Sequence, residues 1–298
     1  MSATLVTGAL GCLGAWVTAL IAAEGQRVVA HDLGTDSRRL TLIADPATLE
    51  RVTVVRGDVT DLAQLERVLA AHEVTAVVHL AALQAPYCAA DPVLGAHVNL
   101  VGTVAVFEAV RRARLDTTIS YASSAAAASP SQTAPSTLYG VYKLAAEGVA
   151  ERYAADFGVP SVGLRPACVY GPGRDRGTTA AVTEAIVAAG RRQPYRIPFA
   201  TALELHYVED VARAFITASA APTSGALVRT LPSEGPTPMA ELVATLDRVV
   251  PGAAELITVG SDELPFPGET PGIPVDMPIT PLEDGIRATI QLTAPAAP

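Results

Sequence analysis

The first half of the chain alternates short unbroken apolar runs with longer segments of helical spacing. Residues 3–7 read as a strand, 13–24 as a helix and 27–31 as a second strand. Residues 52–56 give a third strand, 62–71 a helix, and the apolar run 76–80 a fourth strand. One long helix is expected over 94–112, then a strand at 117–121, a helix over 139–157 and a strand at 161–165. Apolar strands without alternation require cover on both faces, so the pattern predicts an α/β protein with a parallel sheet between helical layers.

The pattern changes after Gly171-Pro172-Gly173. Helical stretches at 179–190, 208–219 and 239–250 are separated by short strands such as 226–231, and prolines crowd the chain from Pro265 onward. The expected division is a dinucleotide-binding domain over 1–172, with a returning segment near 200–220, and a smaller substrate-binding lobe over 173–298. Residues 294–298 read as a loose tail. No internal repeat is evident.

Composition narrows the function. The chain has 298 residues, with 21 Lys+Arg against 30 Asp+Glu, a net charge of −9. That balance argues against a nucleic-acid surface. Membrane-span length is about 20 apolar residues, and the longest candidate, 12–23, falls short. Three cysteines, Cys12, Cys88 and Cys168, support neither a disulfide framework nor a metal site. A cytoplasmic protein is expected. Lys143 is the sole lysine beside 20 arginines, so its ammonium stands out as a chemical choice.

Gly8, Gly11 and Gly14 sit between the first strand and first helix, where glycines allow a tight turn and let backbone approach a pyrophosphate. Cys12 and Leu13 belong to the same cofactor turn. The sheet is therefore expected to be a doubly wound Rossmann sheet binding NAD. Asp32 ends the second strand, 18 residues past Gly14, placed to accept from ribose hydroxyls and to repel a 2′-phosphate. Arg38 and Arg39 follow and keep NADP open as the alternative. Asp58, followed by Val59, stands where an acid can meet the adenine amino group or simply face solvent.

Tyr139 and Lys143 are four apart, on one helical face, a pairing in which an ammonium stabilises a phenolate and lowers its pKa. Such a tyrosine exchanges a proton with a carbinol or carbonyl. Ser123 and Ser124, at a strand end, are the candidate hydroxyl partners.

With these motifs the chain resembles the extended short-chain dehydrogenase/reductase superfamily, in its NAD-dependent epimerase/dehydratase branch. The resemblance rests on Thr7-Gly-Ala-Leu-Gly-Cys-Leu-Gly14, Gly57-Asp58-Val59-Thr60-Asp61, His79-Leu-Ala-Ala82, Asn99-Leu-Val-Gly-Thr103, Ser123-Ser124, Tyr139-x-x-x-Lys143 and Arg165-Pro-Ala-Cys-Val-Tyr-Gly-Pro172. It implies that Tyr139 is the general acid/base, that Lys143 also bonds the nicotinamide ribose, and that Ser124, with Ser123 as second choice, orients substrate. Leu80, Ala81 and Ala82 would line the cofactor through their backbone, with Asn99 structural. A homodimer is expected as well.

Departures bear on the substrate. Cys168 replaces the usual asparagine before Val-Tyr-Gly, and Leu203-Glu204 replace the usual Arg-Asp. Burying a diphosphate takes paired arginines. Arg174 and Arg176 are the cations nearest the expected pocket and suit one carboxylate or sugar hydroxyls, unless solvated. The leading expectation is hydride transfer on a small sugar, sugar acid or similar hydroxy compound held near Gln84, Ser124 and Arg174. The alternatives are a (nucleotide-)sugar epimerase using the same residues and a non-catalytic NAD-sensing scaffold.

Overall fold

Twelve strands are described: β1 (Ala3–Thr7), β2 (Arg27–Asp32), β3 (Val52–Arg56), β4 (Val74–His79), β5 (Ile119–Ala122), β6 (Ser161–Arg165), β7 (Cys168–Tyr170), β8 (Tyr195–Phe199), β9 (Leu203–Tyr207), β10 (Ala226–Thr230), β11 (Pro236–Thr237) and β12 (Ile257–Asp262). The computed structural model describes residues 2–128, 135–265 and 270–294. Seven strands build one wholly parallel sheet in the order β10-β6-β5-β4-β1-β2-β3. All five residues of β1 are buried between helical layers, which is why its apolar run lacks alternation. Chain order reverses between β1 and β4, and a doubly wound sheet binds ligands at such a point, outside the strand carboxyl ends. Thr7 is in register with both His31 and His79, so the turn beginning at Gly8 emerges there.

Several expectations need correction. The strand that returns to the central sheet is β10, beside β6, so the return lies just beyond the expected 200–220. β3 is an edge strand and is half exposed despite its apolar run. Two small sheets, β11-β9-β7 and β12-β8, lie outside the expected pattern because their strands are short and β8 contains Pro198. The long helix begins at Pro92 and passes through a π-turn, His97–Val101, before continuing as Gly102–Ala113. Pro92–Ala113 is 22 residues long, and its most apolar 18-residue window has a mean hydropathy of 1.6, so one helix among the described residues reaches membrane-spanning length and apolarity. Half of it is buried within the fold, where Phe107 and Val110 pack into the core. The expected tail falls largely on 295–298, outside the described residues.

Beneath the switch point lies a buried polar relay. The Thr103 hydroxyl donates to the Asn99 carbonyl at 2.8 Å, so its oxygen must accept from His79 Nε2 at 3.0 Å. That fixes the imidazole tautomer: Nδ1 is the acceptor and takes the Thr7 hydroxyl proton at 2.7 Å. The relay joins β1, β4 and the long helix through one neutral ring.

A pH dependence follows. Burial pushes His79 down to about 3, from 6.5. Between those values the unfolded chain binds a proton that the folded chain does not, so this stabilisation is complete above about pH 6.5 and is lost as pH falls toward 3. His206, buried in β9 and pushed down to about 4, acts in the same direction. Urea unfolding between pH 4 and 7 should show the acid limb flattened by about one bound proton in His79→Gln, roughly 1.4 kcal/mol per pH unit. An unchanged slope would remove His79 from the account.

Candidate active site

The glycine turn works by close approach. Gly8 has φ +68°, and a Cβ there would stand 2.6 Å from the Ala81 nitrogen. A Cβ on Gly14 would meet the Gly8 oxygen at 2.0 Å. The ends of β1 and β4 and the start of the Cys12–Ala23 helix therefore touch through backbone alone, leaving main-chain N–H groups at the helix N-terminus. Leu80 N–H donates to the Thr7 carbonyl at 3.0 Å, which lays Leu80, Ala81 and Ala82 along the same crevice. Cys12 and Leu13 open the helix and are half-buried.

Asp32 ends β2 as expected, and its carboxylate accepts from Leu10 N–H and Gly34 N–H, both at 2.9 Å. Asp58 is exposed, and hydrogen bonds from Thr60 hold its carboxyl below its ordinary pKa. Val59 is buried, packed where a Cβ on Gly102 would touch it at 2.6 Å. The NADP alternative loses its basis. Arg39 is buried and donates to the Leu10 and Gly173 carbonyls and to Asp175, while Arg38 pairs with Asp36 and Asp175. Both guanidiniums are held by other partners. The glycine turn and the carboxylate at the end of β2 fit a dinucleotide lacking a 2′-phosphate.

Tyr139, Lys143 and Glu147 fall on one face of the Leu138–Phe157 helix, whose N-terminus is capped by Thr137 accepting from Gly140 N–H at 3.0 Å. A Cβ on Gly140 would lie 2.2 Å from the Ala126 oxygen, so this first turn presses onto the loop that carries Ser124. Lys143 is buried, and its ammonium donates to the Ala122 carbonyl at 2.7 Å. The same nitrogen lies 5.7 Å from the Tyr139 ring centre. Burial pushes Lys143 down to about 8, with Cys88 and Glu147 opposing.

The lowered phenol pKa expected from sequence is not what the protein alone provides. Burial raises Tyr139, with Ser124 and Arg174 pulling the other way. Loss of water around the hydroxyl outweighs the neighbouring dipole and charge.

The two serines separate clearly. Ser123 is buried and donates to Glu147, which also receives a two-pronged pair from Arg165 at 2.7 and 2.6 Å. Ser124 instead lines a cavity with Tyr139. Tyr142 is structural, donating to the Pro92 carbonyl at 2.9 Å. Asn99 bonds the Leu83 and Gly95 carbonyls from within the π-turn.

A cavity opens beside Tyr139, and Gln84, Ser124, Cys168, Arg174 and Glu204 share its wall. Gln84 Oε1 and Arg174 Nε are buried without a partner among the described residues. Arg176 is exposed and lies outside this lining, so the expected pair of arginines reduces to one. Glu204 is buried with both oxygens engaged by Ser233 and Thr270. Its partners lie 29 and 66 residues away, a distance no local motif signals.

The profile of the NAD dependent epimerase/dehydratase family matches residues 4–230. UDP-glucuronate 4-epimerase 3 of Arabidopsis thaliana is 34% identical over 182 residues, covering 56% of this chain and 42% of its own length. The chain thus spans under half the length of the first curated relatives it matches. UDP-glucose 4-epimerase of Mycolicibacterium smegmatis is 30% identical over 229 residues, 72% of each chain. The L-threonine dehydrogenase of Clostridium difficile has the same fold, with a TM-score of 0.81 at 19% identity over 98% of this chain and 97% of that one. The glycine turn, the carboxylate at the end of β2 and the Tyr-Lys helix lie within the matched stretch, and this chain belongs to the NAD-dependent epimerase/dehydratase family.

Proposed function

We propose that the protein is an NAD-dependent oxidoreductase acting at a carbinol carbon of a small sugar, sugar acid or similar hydroxy compound. The observation that carries this reading is the cavity wall: one guanidinium Nε and one carboxamide oxygen without partners among the described residues, and a buried carboxylate beside Leu203. A diphosphate brings about two negative charges and calls for paired arginines, whereas Arg174 and Gln84 suit a single carboxylate and a hydroxyl.

In this reading the cofactor lies along Gly8, Gly11, Cys12, Leu13 and Gly14, with Asp32 at the adenosine ribose, Asp58 and Val59 at the adenine, and Leu80–Ala82 alongside. Bound NAD would take up the hydride, and its positive ring would lower the phenol pKa that burial raises. Ser124 orients the substrate hydroxyl, Tyr139 accepts its proton as the carbon is oxidised, and Lys143 keeps positive charge beside the phenolate. The fixed Lys143–Ala122 bond holds that charge in place before substrate arrives. The Arabidopsis and Mycolicibacterium relatives, a UDP-glucuronate 4-epimerase and a UDP-glucose 4-epimerase, favour a second reading, 4-epimerisation of a UDP-sugar by the same residues. A cytoplasmic homodimer fits the free thiols and the exposed Val93, Leu94, Val101, Val141 and Leu144 on the two helices beside the site.

Incubation with NAD and a panel of aldoses, uronates and hydroxy acids should give net reduction at the nicotinamide absorbance. Calorimetric titration of UDP and UDP-sugars into the NAD-bound protein should give no micromolar binding; such binding, or epimerisation faster than turnover of any free sugar, restores the nucleotide-sugar reading. Tyr139→Phe should abolish turnover while NAD affinity stays within a few-fold, and retention of more than about a tenth of the rate would remove Tyr139 from its role. Lys143→Arg should be nearly as harmful, since a planar guanidinium cannot occupy the buried ammonium site. Asp32→Ala should narrow the preference for NAD over NADP, measured as the ratio of kcat/KM values.

A further inference from the structure

We propose that Arg39 is a positioning residue that couples occupancy of the NAD site to the setting of the loop 171–179, which carries Arg174. The proposal rests on the NAD site described above and is independent of the substrate's identity.

Arg39 is the second residue of the Arg38–Ile43 helix, and its side chain is buried between two functional segments. Toward the cofactor turn, Nη1 donates to the Leu10 carbonyl at 2.9 Å. The same residue's N–H donates to Asp32, the carboxylate assigned to the adenosine ribose. Toward the substrate cavity, Nε donates to the Gly173 carbonyl at 3.1 Å, and Nε and Nη2 both reach Asp175 Oδ1. Gly173 and Asp175 flank Arg174 in the chain. One guanidinium thus connects the residue that presents Asp32 with both neighbours of the residue that faces the cavity.

Other bonds hold the loop to neighbouring segments. The Trp16 indole N–H donates to the Pro172 carbonyl at 2.9 Å, Gly171 N–H to the Thr183 hydroxyl at 3.1 Å, Arg38 to Asp175 Oδ2 at 3.1 Å and Arg174 to Thr179 at 3.1 Å, but none of these bonds Leu10 in the glycine turn. Gly171, Gly173 and Gly177 all have positive φ, so the backbone between them follows a path that side-chain-bearing residues disfavour and depends on such contacts. A Cβ on Gly177 would strike Gln84 Oε1 at 2.1 Å, which shows how closely the loop lies against the cavity wall. Three acceptors in different directions match the rigid fork of a guanidinium, whereas an ammonium offers no such fixed geometry. When NAD orders the turn around Leu10, Arg39 transmits that restraint to Gly173 and Asp175. By linkage, a ligand that fixes the loop tightens NAD in turn.

The test is amide hydrogen exchange on the full chain, with and without saturating NAD, in the unmodified protein, Arg39→Met and Asp175→Ala. In the unmodified protein NAD should slow exchange over 8–14 and also over 171–179, the latter by about fivefold or more. In Arg39→Met the protection of 8–14 should persist while the NAD-dependent gain over 171–179 disappears. Asp175→Ala, a change at a partly exposed side chain, should keep only part of that gain and decides the matter if Arg39→Met fails to fold. Equal NAD-dependent protection of the loop in all three proteins would overturn the coupling, as would a protected turn with an unaffected loop in the unmodified protein. Absence of protection in both segments would instead overturn the cofactor site, and the coupling with it.

Discussion

The contact on which the rest of this structure depends is backbone against backbone, where Gly8 meets Leu80 and Ala81. A Cβ at Gly8 would lie 2.6–2.8 Å from three main-chain atoms of that segment, none of which can swing aside. The ends of β1 and β4 therefore approach more closely than any side chain permits. The His79 relay secures the same junction from below, tying Thr7 to Thr103 through a ring that must stay neutral. A crevice formed this way presents main-chain donors rather than side chains, which is the chemistry a pyrophosphate requires.

Two ion pairs with buried members, Arg165–Glu147 and Arg39–Asp175, each orient a neighbouring segment. Arg165 and Glu147 form a two-pronged pair that also takes the Ser123 hydroxyl, joining the Tyr-Lys helix to the ends of β5 and β6. Desolvating two ions offsets much of their attraction, so such a pair contributes more to geometry than to net stability. Its consequence is local: with Ser123 held by Glu147, the next residue is the one left to face Tyr139. Arg39 plays a comparable part between the glycine turn and the Arg174 loop.

Burial moves the two members of the Tyr-Lys pair apart on the pH scale, the phenol up from 10.0 and the ammonium from 10.5 down to about 8. Each shift disfavours the charged form. The protein alone thus holds a neutral tyrosine beside a lysine that still carries charge at neutral pH. A phenolate there calls for further positive charge, a requirement consistent with a site that works only in the presence of an oxidised nicotinamide.

Much of this was legible in the sequence because the signals are local. Unbroken apolar runs matched β1, β2 and β6 nearly residue for residue, since a strand covered on both faces has no polar position to alternate with, and the apolar run of β3 marked that strand although it lies at the exposed edge. Gly8, Gly11 and Gly14, Asp32, and the four-residue spacing of Tyr139 and Lys143 lie within single strand-turn-helix units, where chain geometry alone fixes their relation. Tertiary structure decided what depends on residues far apart in the chain. It separated Ser123 from Ser124 through Arg165, directed Arg38 and Arg39 to Asp175 instead of a 2′-phosphate, and moved β10 into the central sheet. It also turned the expected fall in the Tyr139 pKa into a rise. Desolvation and the pairing of buried charges arise from the packing of many elements at once, and no short stretch of sequence contains that information.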